Sequence, residues 1–116
     1  NVLRKALKEC WPDITEEQSR FHRQVSMAEI PPTVDSLQRA GDWLGEIEPA
    51  LNRNRDARDV LREVWFRLAM RVAPSVGFGA IQVAFHSEFP RRIGLGLRQR
   101  LLIVGSATKG WARASK

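Results

Sequence analysis

The sequence has a single cysteine and no apolar run of the roughly 20 residues that a membrane-spanning helix needs. Cys10 alone cannot form an intramolecular disulfide, which is typical of proteins in a reducing compartment. The basic residues near the N-terminus are followed by no apolar stretch, so they do not form a signal peptide. From these absences we expect a cytosolic protein.

The sequence also lacks the residue patterns that usually carry catalysis or metal binding. Cys10, His22 and His86 do not have the paired spacing of zinc ligands. Ser87 follows His86 without a nucleophile-elbow motif. The glycines of residues 77–79 are not followed by the Lys-Ser/Thr pair of a phosphate-binding loop. We therefore expect no enzymatic activity, no metal and no cofactor.

The length and composition fit one domain. The chain has 116 residues, of which 43% are hydrophobic, so it can bury a core without disulfides or metals. It begins at Asn1 rather than at methionine, and we expect it to be excised from a longer protein. The expected organisation is a single helical domain over 1–116, with a basic, partly flexible tail over 105–116.

Positive charge is concentrated in the second half of the chain. Residues 1–52 have six Lys/Arg and nine Asp/Glu, whereas residues 53–116 have thirteen and four. This asymmetry predicts an anionic partner for the second half: nucleic acid, an acidic protein or an anionic membrane surface. Fifteen of the nineteen basic residues are arginine, which forms forked contacts with phosphates and guanine edges. A GC-rich genome would produce the same excess through codon usage.

Hydrophobic periodicity predicts an all-α fold of about five or six helices. The predicted segments are 2–10, 15–27, 33–48, 56–72, a segment 80–86 that fits either helix or strand, and 90–104. Thr15 and Gln18 form a capping box, and Thr33 caps the following helix. The segment 56–72 has a wide apolar stripe, which is typical of a central core helix. Residues 74–79 are rich in helix breakers and predict a loop.

The segments 79–86 and 90–104 together have the outline of a helix-turn-helix. In a helical projection, one face of 91–104 is apolar and is expected to pack on the core: Ile93, Leu97, Leu101 and Val104. The opposite face is largely polar: Arg92, Gly96, Gln99 and Arg100, with Ile103 beside them. A recognition helix needs this division between a core face and a face that presents donors to base edges.

The residues expected to bind nucleic acid follow from this projection. The predicted base contacts are Arg92, Gln99 and Arg100, and the predicted phosphate contacts are Arg91, Arg98, Lys109 and Arg113. If the contact of Arg100 is bidentate, Arg100→Ala costs about 1–3 kcal/mol at one base position. Equal loss on every DNA sequence would indicate a phosphate contact instead.

The same segment also fits a helical protein-interaction module. Gly94 and Gly96 each cost roughly 1 kcal/mol of helix propensity, which favours a broken or partly extended segment. Leu95 and Leu102 lie on a third face, where they would form part of an interface with an acidic partner or a second copy of the chain. A third interpretation is RNA binding by the tail, with Trp111 stacking on bases.

A series of short motifs runs through residues 11–104. They are Trp11-Pro12, Pro32-Thr33, Leu37-Gln38-Arg39-Ala40, Asp42-Trp43-Leu44, Glu48-Pro49, Val64-Trp65 with Arg67, and Ile81 to Phe85. In this order they resemble small, uncharacterised prophage-type proteins with a C-terminal helix-turn-helix. The resemblance implies a DNA-binding or regulatory role in a bacterial or phage setting. We expect DNA as the partner, an acidic protein or a homodimer as alternatives, and no membrane.

Overall fold

The computed structural model describes residues 14–51 and 55–114, without the side chains of 50, 51, 55–57, 88, 92 and 110–114. These residues form six α-helices and no strand: α1 (Glu16–Ser26), α2 (Val34–Leu51), α3 (Arg55–Val76), α4 (Phe78–His86), α5 (Glu88–Ile93) and α6 (Leu97–Ala114). The predicted all-α fold is confirmed. The predicted helix 2–10 lies outside the described residues. None of the described helices has the length and apolar character required to cross a membrane.

Helix α3 is the centre of the fold, as its apolar stripe predicts, and it contacts each of the other five helices. Trp65 on this helix is fully buried, and its indole Nε1 donates to the carbonyl oxygen of Ala84 at 3.1 Å. This bond satisfies the only polar group of the ring. Gly41 of α2 admits the ring, since a Cβ there would lie 3.1 Å from Trp65 Cη2. Phe89 meets the indole edge-on, with ring centroids 5.7 Å apart.

The beginnings of α1 and α2 match the predicted caps. Thr15 Oγ1 accepts from the Gln18 backbone N–H at 3.1 Å, and Gln18 Oε1 accepts from the Thr15 N–H at 3.1 Å. Both halves of the capping box are therefore present. Thr33 Oγ1 likewise accepts from the Ser36 N–H at 3.1 Å. Because each cap satisfies a backbone donor that the helix leaves free, both helices begin where the sequence predicts.

A buried histidine joins α1 to α2. Trp43 Nε1 donates to His22 Nδ1 at 3.0 Å, and both residues are buried. Because an indole N–H can only donate, Nδ1 must be the acceptor and the neutral imidazole carries its proton on Nε2. Ser26 Oγ lies 3.4 Å from that nitrogen. Burial lowers the pKa of His22.

Two helices extend past the prolines that were predicted to end them. α2 includes Pro49 and ends at Leu51, and α3 includes Pro74 and ends at Val76. The predicted loop 74–79 is therefore wrong, because the chain leaves helical geometry only around Gly77, where φ is 69°. Val72 and Ala73, which come just before Pro74, are buried. Their burial outweighs the loss of the one helical hydrogen bond that the proline cannot donate. α4 follows at once, so the ambiguous segment 80–86 is helical.

The predicted final segment 90–104 is wrong as one helix. α5 ends at Ile93, residues 94–96 are not helical, and α6 begins at Leu97. Gly94 has a φ of 72°, a value that favours glycine, and its N–H donates to Pro90 O at 3.0 Å. The predicted helix-turn-helix unit is thus not confirmed. α6 continues to Ala114, so the part of the tail from 105 to 114 is helical.

A candidate interaction surface on helix α6

Helix α6 turns a different face to the core from the one predicted. Ile103 and Ala107 are fully buried, and the helix packs mainly on α3. Leu97, Leu101 and Val104, which the projection assigned to the core, are exposed by 75%, 63% and 37%. The predicted core face is therefore wrong for these three residues, whereas Ile93, its fourth member, is buried as predicted. The projection assumed a continuous helix from residue 91, and the break at 94–96 changes the rotational phase of everything after it.

We call the exposed apolar row of α6, formed by Leu97, Leu101 and Val104, the leucine seam. Its residues are four and three positions apart, which places them in an arc of about 60° at 3.6 residues per turn. Thr108 follows four positions later and is also exposed. Leu102 is 45% exposed but lies on another row. A contiguous exposed apolar row of this kind is typical of an interaction site.

The non-helical break places Leu95 in the core. It is buried, although the sequence interpretation assigned it to an interface. Arg62 of α3 holds the break in place, because its Nε donates to Gly94 O at 2.8 Å and its Nη2 donates to Ile93 O at 3.3 Å. These two bonds satisfy carbonyl groups that the end of α5 leaves without helical partners. The position of the leucine seam therefore depends on a side chain of the core helix.

Gln99 and Arg100, two of the predicted base contacts, form contacts within the fold. Gln99 Oε1 accepts from the Gly96 N–H at 3.0 Å, which is half of a capping box for α6. Arg100 Nε donates to Leu95 O at 3.2 Å, and its guanidinium lies 5.9 Å from the centre of the Phe85 ring. Both side chains thus stabilise the break. The side chain of Arg92, the third predicted base contact, lies outside the described residues.

The predicted phosphate contacts are distributed over two helices. Arg91 of α5 and Arg98 and Lys109 of α6 are exposed, and their side chains form no hydrogen bond or ion pair with any described residue. Arg98 and Lys109 lie on one side of the leucine seam, and Arg100 lies on the other. The side chain of Arg113 is not among those described. The structure therefore brings two predicted phosphate contacts and one predicted base contact to the borders of the seam.

The charge around the leucine seam is of one sign. No aspartate or glutamate occurs from Phe89 to the end of the chain. The ion pairs found among the described residues lie on other helices: Arg20–Glu16 on α1, and Arg62–Asp59 and Arg67–Glu63 on α3. Of the cations beside the seam, Arg98 and Lys109 thus have no ion-pair partner among the described residues, whereas Arg100 is held by Leu95 O.

Gly105 leaves open space on the outer face of α6. It is exposed, and a Cβ at this position would have no atom within 4 Å. Glycine within a helix is less stable than alanine by roughly 0.5–1 kcal/mol, and no contact with another described residue requires it here. A residue without a side chain lets a second helix approach more closely, since interaxial distances depend on the side chains at the contact.

A shallow groove of about 470 Å³ lies between α2 and α4, away from α6. It is lined by Val34, Gln38, Gly79, Gln82, Val83, His86 and Ser87. Ser87 Oγ donates to Gln38 Oε1 at 3.4 Å, which places the hydroxyl against an amide rather than a general base. Among the described residues, no three His, Cys, Asp or Glu side chains lie close enough to hold a metal ion.

Sequence reasoning identified the cations of this surface but missed its apolar part. The interpretation that Gly94 and Gly96 break this segment is confirmed, since residues 94–96 are not helical. Its consequence, which places Ile103 inward and Leu101 outward, was not predicted. Comparisons with protein-family models, curated proteins and solved structures found no match to this chain. The function is therefore inferred from the geometry of α6 and the charges around it.

Proposed function

We propose that this protein is a helical interaction module that binds a partner protein through the leucine seam of α6. The observation that carries the proposal is the exposure of Leu97, Leu101 and Val104 in one row, on a helix that packs on the core through the fully buried Ile103 and Ala107. Covering one leucine side chain contributes roughly 1.5–3 kcal/mol. A partner that covers the seam therefore gains from several such side chains at once.

Among the described residues, the core contacts of this end of the fold do not use the leucine seam. Ile103 and Ala107 supply the core contacts of α6, and Leu95 fills the position next to the break. Met27, Val34 and Phe78 are also exposed, but Met27 follows α1, while Val34 and Phe78 begin α2 and α4. Single exposed apolar residues are normal in folded proteins. The seam differs from them because its residues are neighbours on one helix.

Site-specific photo-crosslinking tests the proposal. A benzophenone amino acid is placed at Leu101 in the chain expressed in its native cells, with the exposed Gln24 of α1 as the matched control position. We expect a discrete protein adduct from position 101 that is absent from position 24 and resists nuclease. No adduct at position 101, or an adduct that nuclease removes, would overturn the proposal.

Nucleic-acid binding by the cations of α5 and α6 is a second candidate function. It is favoured by the exposure of Arg91, Arg98 and Lys109 without intramolecular partners among the described residues. Their separation over two helices suits phosphate contacts rather than base readout. The regulatory, phage-related role implied by the resemblance belongs with this candidate.

A titration with random-sequence duplex DNA tests the second candidate by fluorescence anisotropy. If these cations bind phosphates, the affinity falls steeply as salt rises from low to moderate concentration, because binding releases counterions. Replacing Arg98 and Lys109 with glutamine should then reduce the salt dependence. Absence of binding even at low salt would exclude this candidate.

A further inference from the structure

We infer that the leucine seam binds an acidic amphipathic helix, which packs along α6 with its apolar residues on the seam and its carboxylates beside the flanking cations. This inference rests on the proposed function and adds the chemistry of the partner. Three observations support it: the width of the seam, the sign of the charges on both its sides, and the open space at Gly105.

The width of the leucine seam fits a helix. Leu97, Leu101, Val104 and Thr108 follow a spacing of four, three and four residues. This is the spacing of the a and d positions through which two helices pack in a coiled coil. An arc of about 60° is narrower than the arc of 100° or more that a helix uses to face an extended core. One helix can therefore cover the row completely.

Cations border the leucine seam on both sides. Arg98 and Lys109 lie roughly 100–120° around the helix from Leu97, and Arg100 lies roughly 60° in the other direction. All three are exposed. In paired helices, residues beside the apolar row form ion pairs that determine partner choice. A partner helix with glutamate or aspartate beside its apolar row would therefore meet a cation on either side.

The same charges disfavour a second copy of the chain on the seam. In a symmetric dimer the same patch meets itself, so Arg98 and Lys109 of one copy would face cations of the other. Like charges brought together across an interface are unfavourable. Since no acidic residue occurs after Glu88, α6 has no carboxylate that could offset this repulsion.

A membrane surface fits the outer face of α6 less well. Around the helix, Arg98 lies between Leu101 and Leu102, so a flat apolar phase could not cover both leucines without covering the guanidinium. Gly105, by contrast, lies beside the seam with nothing within 4 Å of a Cβ, which leaves room for the backbone of an approaching helix. These features favour a narrow, rod-shaped occupant.

Three synthetic helical peptides of about 18 residues test the inference against the whole chain by fluorescence anisotropy. The first two peptides have a leucine row with coiled-coil spacing, which is flanked by glutamate in one peptide and by lysine in the other. The third keeps the glutamates and has serine in place of leucine. We expect the glutamate peptide to bind at least about tenfold more tightly than either of the others, a difference that corresponds to roughly 1.4 kcal/mol.

Protein variants sharpen this test. Leu101→Gln should weaken binding of the glutamate peptide about tenfold. Met27→Gln, which changes an apolar residue of comparable exposure elsewhere, should leave binding unchanged. Reversing the charge of both Arg98 and Lys109 to glutamate should favour the lysine peptide instead. None of these three variants removes a buried side chain, so circular dichroism should show an unaltered fold.

The outcomes separate this inference from the proposed function. Equal binding of the glutamate and lysine peptides would overturn the acidic partner and leave the seam as an interaction site. Failure of every peptide, with a protein adduct still formed at position 101, would overturn a helical partner alone. If the chain binds phosphatidylglycerol vesicles but no peptide, the occupant of the seam is a membrane surface. If sedimentation shows a dimer that Leu101→Gln dissociates, the occupant is a second copy of the chain.

Discussion

Helices α3 and α6 are both amphipathic, but only one of them faces the core as its sequence predicts. The apolar stripe of α3 is long and uninterrupted, and its members Leu61, Trp65 and Leu68 are buried. The apolar row of α6 follows two glycines and is exposed. The difference teaches that periodicity defines which residues share a face, whereas the direction of that face depends on how the helix is joined to the rest of the chain.

Two leucine-to-alanine substitutions provide the most direct test of this comparison. Leu68→Ala on α3 should lower the free energy of unfolding by about 2–5 kcal/mol, because it leaves a cavity around a fully buried side chain. Leu101→Ala on α6 should change it by no more than about 0.5 kcal/mol, as expected for a surface position. Urea denaturation measures both. A loss at Leu101 as large as that at Leu68 would show that α6 packs on the core through the leucine seam.

Much of the fold was accessible from the sequence because local interactions determine it. Thr15 and Gln18 form a capping box within one turn, and α3 has enough apolar residues for an unambiguous stripe. The loop predicted at Pro74 is wrong, because burial of the neighbouring core residues outweighs the local preference of proline against helix. Gly94 and Gly96 indicated a break before α6, but the direction in which α6 leaves that break was not predictable, since it depends on Arg62, which lies more than thirty residues before the carbonyls that it binds.

Arg62→Ala should weaken the link between α3 and the non-helical break that precedes α6. The substitution leaves Gly94 O and Ile93 O without their side-chain donor and should cost about 1–3 kcal/mol in urea denaturation. Arg62→Lys should restore only part of this loss, because an ammonium group lacks the planar fork that reaches both carbonyls. Hydrogen exchange should quicken in α5 and at the start of α6. Unchanged exchange there would mean that the break holds its geometry without Arg62.

Acid should destabilise the α1–α2 junction rather than α6. Burial lowers the pKa of His22 below the 6.5 of an exposed histidine, so the folded state binds fewer protons than the unfolded state. The stabilising contribution is complete above pH 6.5 and is lost as the pH falls from there through the folded-state pKa. Protonation of Nδ1 also removes the acceptor of the Trp43 bond, which is worth about 1 kcal/mol.

Denaturation at pH 7.5 and pH 5 measures the effect of His22. His22→Phe should reduce the change in unfolding free energy between these pH values, because it removes the buried titrating group. A change of the same size in this variant would assign the acid sensitivity to other groups. The affinity for the glutamate peptide, corrected for the fraction of protein that is folded, should be the same with and without His22, because this residue lies on α1 rather than α6.

Gly105→Ala gives the smallest effect and tests the purpose of the open space on α6. Alanine has no steric obstacle at this position and should raise the free energy of unfolding by about 0.4–1 kcal/mol. If a partner helix approaches closely at Gly105, the added methyl group should weaken binding of the glutamate peptide while the protein becomes more stable. A gain in stability with unaltered binding would place the partner farther along the seam, toward Leu97. A protein that is more stable but binds the peptide more weakly is expected only when the glycine serves a contact outside the chain. This combination of results would therefore assign Gly105 a role in recognition rather than in folding.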